Sequence, residues 1–227
     1  MDVFGKALKD FNQFGQTEKL WLHNNYGKPE DMPVEIFFRT EEDISDLEEF
    51  ALNLCKGKIL DIGAGAGAHS LILQAYNFDV TALEISPLAC EVMKNRGLKK
   101  VINANIFTYQ EKFDTLLLLM NGIGLCGDIK GLNRLLAHFK KCLNAGGQII
   151  LDSSDISYLY PDENYPKENY YGQISYQYEY QSVKSEWFKW LYVDFDRLRN
   201  IALTNGLNCE RFFEDDMDQY LVRLTPF

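Results

Sequence analysis

The residues best suited to do chemistry lie in one short run, Ile59-Leu60-Asp61-Ile62-Gly63-Ala64-Gly65-Ala66-Gly67-Ala68. An apolar, strand-like stretch passes into three glycines at alternate positions, and a helical pattern follows. Glycine permits a sharp turn, lets the backbone approach a ligand, and allows the helix to pack close to the strand. Open N–H groups in such a loop, together with the helix N-terminus, favour a polar or negatively charged ligand group. Seventeen residues after Gly67, at the end of the next strand-like stretch, stands Glu84. A carboxylate there can accept hydrogen bonds from both ribose hydroxyls of an adenosine moiety. Each hydrogen bond to a charged group contributes roughly 1.5–3 kcal/mol. Glycine turns and strand-end glutamates each occur in many proteins without a cofactor, but their combination within one βαβ unit points to ligand binding.

The elements that must position these groups follow from hydrophobic periodicity. Lys58 to Ile62 reads as a first strand, with a helix through Leu71, Ile72 and Ala75 after the glycines. Val80 to Leu83 reads as a second strand. Ser86-Pro87 supplies an N-cap and a proline at the first helical position. Lys100 to Asn103 is a short third strand. Leu116 to Leu119, within Phe113 to Met120, is a continuous apolar run suited to a parallel strand covered on both faces. Leu132, Leu135, Leu136, Phe139 and Leu143 follow helical spacing. Asn144 to Gly147 ends that helix, and Gln148 to Leu151 is the fifth strand.

Asp194 opens a helix that Gly206 closes. Two strand-like segments then follow, Leu207–Phe213 and Gln219–Leu224, and the short connection between them forces antiparallel pairing. The expected fold is α/β, a doubly wound and mostly parallel seven-stranded sheet ending in an antiparallel hairpin. One domain is expected over 1–227. Residues 1–56 would form an N-terminal helical cap, 57–152 the ligand-binding core, 153–192 a tyrosine-rich insertion on the substrate side, and 193–227 the last helix and hairpin.

Composition narrows the partners. The net charge is −10, whereas proteins that hold nucleic acid need a basic surface to displace counterions. The five cysteines are scattered without a Cys-x-x-Cys pair, and the three histidines lie far apart in sequence. Neither a disulfide framework nor a metal site is expected. No apolar run approaches the roughly 20 residues that span a bilayer. The first residues, Met1-Asp2-Val3-Phe4-Gly5-Lys6, lack a secretory pattern, so the expected location is the cytoplasm.

Asp61-x-Gly63-x-Gly65-x-Gly67 with Glu84 closing the next strand resembles the cofactor site of class I, Rossmann-like S-adenosylmethionine-dependent methyltransferases. The likeness covers residues 57–152 and extends to the C-terminal helix and hairpin. It implies that Gly63, Gly65 and Gly67 line the methionine and ribose part of S-adenosylmethionine, with Asp61 bonding toward its amino group. It further implies that Glu84 holds the ribose, that Ile85 lies against adenine, and that Asn105-Ile106 sit where an acceptor meets the adenine amino group. Met120 and Asn121 would face the methyl group and the methionine end.

Dinucleotide dehydrogenases space their glycines as Gly-x-Gly-x-x-Gly; here the third glycine comes one residue early. An NAD(P)-dependent oxidoreductase is therefore the alternative, beside a non-catalytic module that binds the same cofactor. The resemblance implies a small-molecule acceptor, because Asn121-Gly122-Ile123-Gly124 lacks the Asn/Asp-Pro-Pro-aromatic signature of nucleic-acid amino methylation. Asn121, Asp152 and Asp155 are candidates for orienting a substrate and His23 for a general base. His69 is read as local scaffolding. Trp21 to Tyr26 and Phe37-Phe38-Arg39 are candidate lid segments, with Arg39 a possible carboxylate ligand or a packed side chain. Eight of the thirteen tyrosines fall between Tyr158 and Tyr180. They suit an aromatic pocket, an exposed hairpin or a homodimer contact, and the sequence leaves the oligomeric state open.

Overall fold

A computed structural model of the chain describes residues 1–15, 18–160 and 164–227; residues 161–163 of the tyrosine-rich insertion lie outside the described residues. The elements run α1 (Val3–Phe14), β1 (Leu20–Asn24), β2 (Glu30–Met32), α2 (Asp46–Leu54), β3 (Lys58–Ile62), α3 (Ala68–Ala75), β4 (Asp79–Glu84) and α4 (Pro87–Asn95). They continue with β5 (Val101–Asn103), β6 (Phe113–Leu118), α5 (Ile129–Cys142), β7 (Leu143–Ser154), β8 (Gln173–Tyr180), β9 (Val183–Lys184) and β10 (Phe188–Leu191). The last elements are α6 (Phe195–Thr204), β11 (Leu207–Glu214) and β12 (Gln219–Pro226).

The larger sheet has seven strands in the order β11-β12-β7-β6-β3-β4-β5. β4 with β5 and β6 with β7 are parallel, while β12 runs antiparallel to both β7 and β11. This is the expected mostly parallel sheet with its terminal hairpin. A smaller sheet has the order β10-β8-β1-β2, with β9 pairing β8.

The chain comprises two compact units. The first comprises residues 1–45, 60–109 and 175–188, and the second 46–59, 110–174 and 189–227. In the first, α1 packs on α4 around Val3, Ala7, Leu8, Leu20, Ala66, Ala89, Val92 and Tyr180. In the second, Leu116, Leu117 and Leu118 of β6 are fully buried, as their unbroken apolar run requires. The apolar stripe of α5 (Leu132, Leu135, Leu136, Phe139) is buried with them.

Local chemistry explains where the helices start. Ser86 caps α4 by accepting from the Ala89 N–H, with Pro87 in the first turn. Asp194 caps α6 through the Arg197 N–H, and Asp128 caps α5 through the Gly131 N–H.

The N-terminal region departs from the helical cap expected for it. Besides α1 and α2 it contributes β1 and β2, which pair with each other, and β1 also pairs antiparallel with β8. The register sets Trp21 opposite Glu179, Leu22 opposite Tyr178 and His23 opposite Gln177. β1 is five residues long and β2 only three, and the second partner of β1, β8, lies far along the chain, so the short segment carries little periodic signal.

Gly131, in the first turn of α5, has no room for a side chain, because a Cβ there would overlap the Cys126 carbonyl oxygen. A backbone group cannot swing aside as a flexible side chain does. Gly131→Ala should therefore lower the unfolding free energy by about 1–3 kcal/mol, measurable by urea denaturation.

Candidate functional site

In the first unit, the three glycines after β3 all adopt left-handed backbone, with φ of 74° at Gly63, 56° at Gly65 and 83° at Gly67. Such values strain any residue bearing a Cβ. Gly67 also lies against Met93 of α4, with a hypothetical Cβ 3.0 Å from the Met93 Cγ. The third glycine thus allows close helix packing.

The loop amides do not wait for an anion. The N–H groups of Gly63 (2.8 Å) and Ala64 (3.3 Å) donate to the Leu83 carbonyl at the end of β4, and that of Gly67 (2.7 Å) donates to the Ala64 carbonyl. The Gly65 N–H donates to Glu84 Oε2 (3.1 Å). The reading of open N–H groups poised for a negatively charged ligand is corrected here. These donors fasten the loop to β4.

Glu84 is only 6% exposed. Its Oε1 accepts from the N–H groups of Ile85 (2.7 Å) and Ser86 (2.9 Å), and its Oε2 from Gly65. A carboxylate offers about four acceptor positions. With three filled by backbone, the remaining one belongs to Oε2.

The following turn is held by Asn103, whose Nδ2 donates to the Glu84 and Ile85 carbonyls (both 2.9 Å). Sequence reasoning missed this residue, which stands at the end of β5 with no local pattern to mark it. The turn leaves the Ile85 side chain 67% exposed, an apolar surface suited to a flat ring. Asn105 is exposed and spends its Oδ1 on the Phe107 N–H (2.9 Å), forming an Asx turn, while Ile106 is buried.

Asp61, also buried, accepts from Ser70 Oγ (2.6 Å) and so ties the end of β3 to α3. His69 is buried nearby and acts electrostatically on Asp61, in keeping with scaffolding. Burial raises the pKa of Asp61, opposed by His69 and Ser70. Burial likewise raises that of Glu84, opposed by its three backbone N–H donors.

His23 is not brought to the glycine loop. Its Nε2 lies 2.6 Å from Glu179 Oε2, and Lys184 Nζ is 3.3 Å from the same carboxylate oxygen. In the β1–β8 register His23 projects from the face opposite to Leu22 and Tyr178. Tyr178 stacks on Phe4 (centroids 5.4 Å apart), and Phe4 meets Phe37 edge-on at 5.0 Å. Phe37 in turn lies against Gly65. Arg39 donates through Nε to the Ile36 carbonyl (2.9 Å), a packed arrangement.

The second unit holds the other candidates. Met120 and Asn121 are consecutive left-handed residues, with φ of 58° and 54°, and each such non-glycine position costs about 1–3 kcal/mol. A buried network holds them in place. Asp152 Oδ1 accepts from the Asn121 N–H (2.9 Å), and Asp152 Oδ2 from Gln219 Nε2 (2.8 Å). Asn121 Nδ2 donates to the Leu191 carbonyl (3.2 Å), and Asn121 Oδ1 accepts from Ser153 Oγ (2.7 Å). Ser153 also accepts from the Val193 N–H (3.1 Å). The side chains of Asn121 and Asp152 are thus bonded to the protein's own backbone and core, an arrangement that positions a loop.

Asp155 accepts from the Ser157 N–H and the Tyr171 hydroxyl (both 2.8 Å). The tyrosines expected as one group divide. Tyr176, Tyr178 and Tyr180 share one face of β8, whereas Tyr160, Tyr165, Tyr170 and Tyr171 form a ring cluster in the second unit. Tyr170 donates to Asp194 (2.5 Å). Burial, with the Asp194 carboxylate, pushes the Tyr170 phenol well above its ordinary pKa against the opposing Tyr171 hydroxyl, and burial, with Tyr170, Asp155 and Asp194, does the same to Tyr171. Among the described residues no three His, Cys, Asp or Glu side chains gather as metal ligands.

Comparison with known proteins adds the following. Residues 60–151 match a family model described as a methyltransferase domain. The chain is similar to a SAM-dependent methyltransferase from Bacteroides fragilis crystallised with S-adenosyl-L-homocysteine. Identity is 37%, coverage 99% of this chain and 94% of that one, and the TM-score 0.94. A S-adenosylmethionine-dependent methyltransferase from Clostridium acetobutylicum (16% identity, 82% of this chain, 93% of that chain, TM-score 0.60) shares the fold. So does the glycopeptide N-methyltransferase MtfA with S-adenosyl-L-methionine (15%, 81% and 93%, TM-score 0.57). No curated protein sequence matches.

Two outcomes follow from these arrangements. Because the folded pKa of Glu84 is raised, its stabilising share is full below the ordinary value of 4.5 and is lost as pH rises through the raised value. Relative to Glu84→Gln, the wild type should therefore gain unfolding free energy as pH falls from about 8 toward 5, read by urea denaturation across that range. A pH-independent difference would mean that Glu84 titrates normally. Ser153→Ala should strand the buried Asn121 carbonyl oxygen and Val193 N–H, lowering stability by about 1–3 kcal/mol. In an Asn121→Ala background that loss should shrink, as a double-mutant cycle would show.

Proposed function

Because the chain belongs to the S-adenosylmethionine-dependent methyltransferases and uses S-adenosylmethionine as its cofactor, we propose that it methylates a small-molecule acceptor in the cytoplasm. The cofactor supplies a methyl group already activated by positive sulfur, and the protein contributes position and exclusion of water.

The observation that carries the site assignment is the Glu84 carboxylate, which is held by three backbone N–H groups and keeps an acceptor position on Oε2. In this reading Oε2 takes a ribose hydroxyl, and the exposed Ile85 lies against adenine. Gly63 and Gly65 let the backbone approach the methionine and ribose part, and Gly67 sets the packing of the loop on α4. Asp61 anchors the start of α3 through Ser70 and supports the methionine amino group. Asn105 and Ile106 border the adenine, the Asn105 oxygen keeping one lone pair beyond its own turn. Met120 and Asn121 serve as the loop on the methionine side, with Asn121 and Asp152 positioning backbone. No general base is assigned, since methyl transfer needs one only when the nucleophile arrives protonated.

The small-molecule acceptor is supported by the net charge of −10 and by the sequence after β6, which lacks the proline signature of nucleic-acid amino methylation. Nothing favours the alternatives of an NAD(P)-dependent oxidoreductase or a non-catalytic module. Four of the loop amides, at Gly63, Ala64, Gly65 and Gly67, are bonded to β4 or within the loop, which leaves fewer donors for a pyrophosphate. The cytoplasmic reading is supported by cysteine chemistry, since no two of the five cysteines form a disulfide. No helix among the described residues is long and apolar enough to cross a membrane.

Calorimetric titration with S-adenosylhomocysteine tests the site. Glu84→Ala should weaken binding by about 1.5–3 kcal/mol, and an unchanged affinity would overturn the ribose role. Incubation with methyl-labelled cofactor and fractionated cell extract tests the acceptor. Label is expected in the low-molecular-weight fraction, and label confined to nucleic acid or protein would overturn the small-molecule reading.

A further inference from the structure

The N-terminal segment is fastened to both ends of α4. At the start of α4, Asp2 Oδ2 accepts from Ser86 Oγ (2.7 Å) and the Leu88 N–H (3.1 Å), while Oδ1 accepts from the Gly5 N–H (2.9 Å). One carboxylate thus caps α1 and also contacts the first turn of α4, two residues past Glu84. Gly5 permits this closeness, since a Cβ there would overlap Ser86 Oγ.

At the other end, Arg96 is the residue that closes α4. Its Nη1 donates to the carbonyls of Ala66 (2.7 Å) and Phe37 (3.3 Å), and its Nη2 to that of Phe38 (3.1 Å). The guanidinium also lies 4.9 Å from the centre of the Phe38 ring. Ala66 is part of the glycine loop, and Phe37 and Phe38 belong to the segment expected as a lid. A single side chain therefore binds the loop to the segment that covers it.

Between these two fastenings sit aromatic rings against the loop. A Cβ on Gly65 would be 3.4 Å from Phe37 Cδ1 and 4.0 Å from Phe4 Cζ. Phe4 is held in turn by Tyr178, and α1 is tied to β8 where the Tyr180 hydroxyl donates to Asp10 (3.1 Å).

We propose that Arg96 is a positioning residue of the cofactor site, holding Phe37, with Phe4 beside it, as an aromatic cover at Gly65 in register with the loop. The inference rests on the cofactor reading of the Gly63–Gly67 loop and Glu84. A planar guanidinium reaches three carbonyls at once, whereas a lysine ammonium is a point charge that matches this fork poorly. Loss of the fork frees the Phe37 segment from the loop and leaves Glu84 in place. The cover and the loop then no longer act as one wall, so cofactor affinity falls.

The test is titration of S-adenosylhomocysteine into wild type, Arg96→Lys, Arg96→Ala and Phe37→Leu, together with amide hydrogen exchange of the wild type and Arg96→Lys with and without that ligand. Weakening of about tenfold is expected for Arg96→Lys and more for Arg96→Ala, at temperatures where each variant is folded. Phe37→Leu keeps apolar bulk without the ring and should also bind more weakly. In the wild type, ligand should slow exchange in residues 3–14 and 34–38. A purely structural Arg96 would lower the melting temperature while leaving ligand affinity and ligand-dependent protection of 34–38 unchanged, and that result overturns the proposal. Failure of the wild type to bind S-adenosylhomocysteine would sink the cofactor reading itself, a different outcome.

Discussion

A buried carboxylate without a cationic partner organises the first unit. Removing Glu84 from water is costly, and the cost is offset by three backbone N–H groups converging on its two oxygens. Because one donor comes from the glycine loop and two from the turn after β4, the carboxylate fixes the distance between those stretches. Asn103 then locks the same turn from β5. The geometry of the loop and the turn beside it is therefore set by the chain's own backbone. A loop whose amides are bonded to the sheet offers shape and one acceptor rather than an anion cradle, and this separates it from a pyrophosphate-binding turn despite the similar glycines.

The second unit holds a strained turn with a buried hydrogen-bond network. Two successive left-handed residues after β6 are held because Asp152 accepts from the Asn121 N–H, Ser153 and the Leu191 carbonyl bond the Asn121 side chain, and Gln219 fixes Asp152. Strain at 120–121 is thereby stored in a place where the surrounding core over-determines it. This kind of arrangement holds a backbone carbonyl or N–H in a fixed direction.

Features encoded locally were legible in the sequence. The glycine spacing, Glu84, the caps at Ser86 and Asp194, the buried run at 116–118 and the C-terminal hairpin each depend on residues a few positions apart. Features made by distant pairing were not. β1 alternates for only five residues, and although it pairs locally with the three-residue β2, its other partner β8 lies over 150 positions away, as the separation of His23 from Glu179 shows. Arg96 and Asp2 likewise act on groups 30 to 86 positions away, so their types alone could not announce them. A carboxylate or amide at a strand end reads alike whether it faces a substrate or its own backbone, which is why Asn121 and Asp152 stood as substrate-orienting candidates. In the structure both side chains are bonded within the protein, and His23 is bonded to Glu179.

The paired left-handed backbone at Met120 and Asn121 also limits how this position can vary among descendants of the chain. Glycine would relax the torsion but discard the amide that reads Ser153 and Leu191 together. Aspartate would tolerate the torsion and accept from Ser153, yet it has no hydrogen to give the Leu191 carbonyl. Glutamine or a branched residue would carry the wrong reach or clash with the backbone. Asparagine alone combines the torsion, the acceptor and the donor, so drift at residue 121 has to be accompanied by compensating change near 153 and 191.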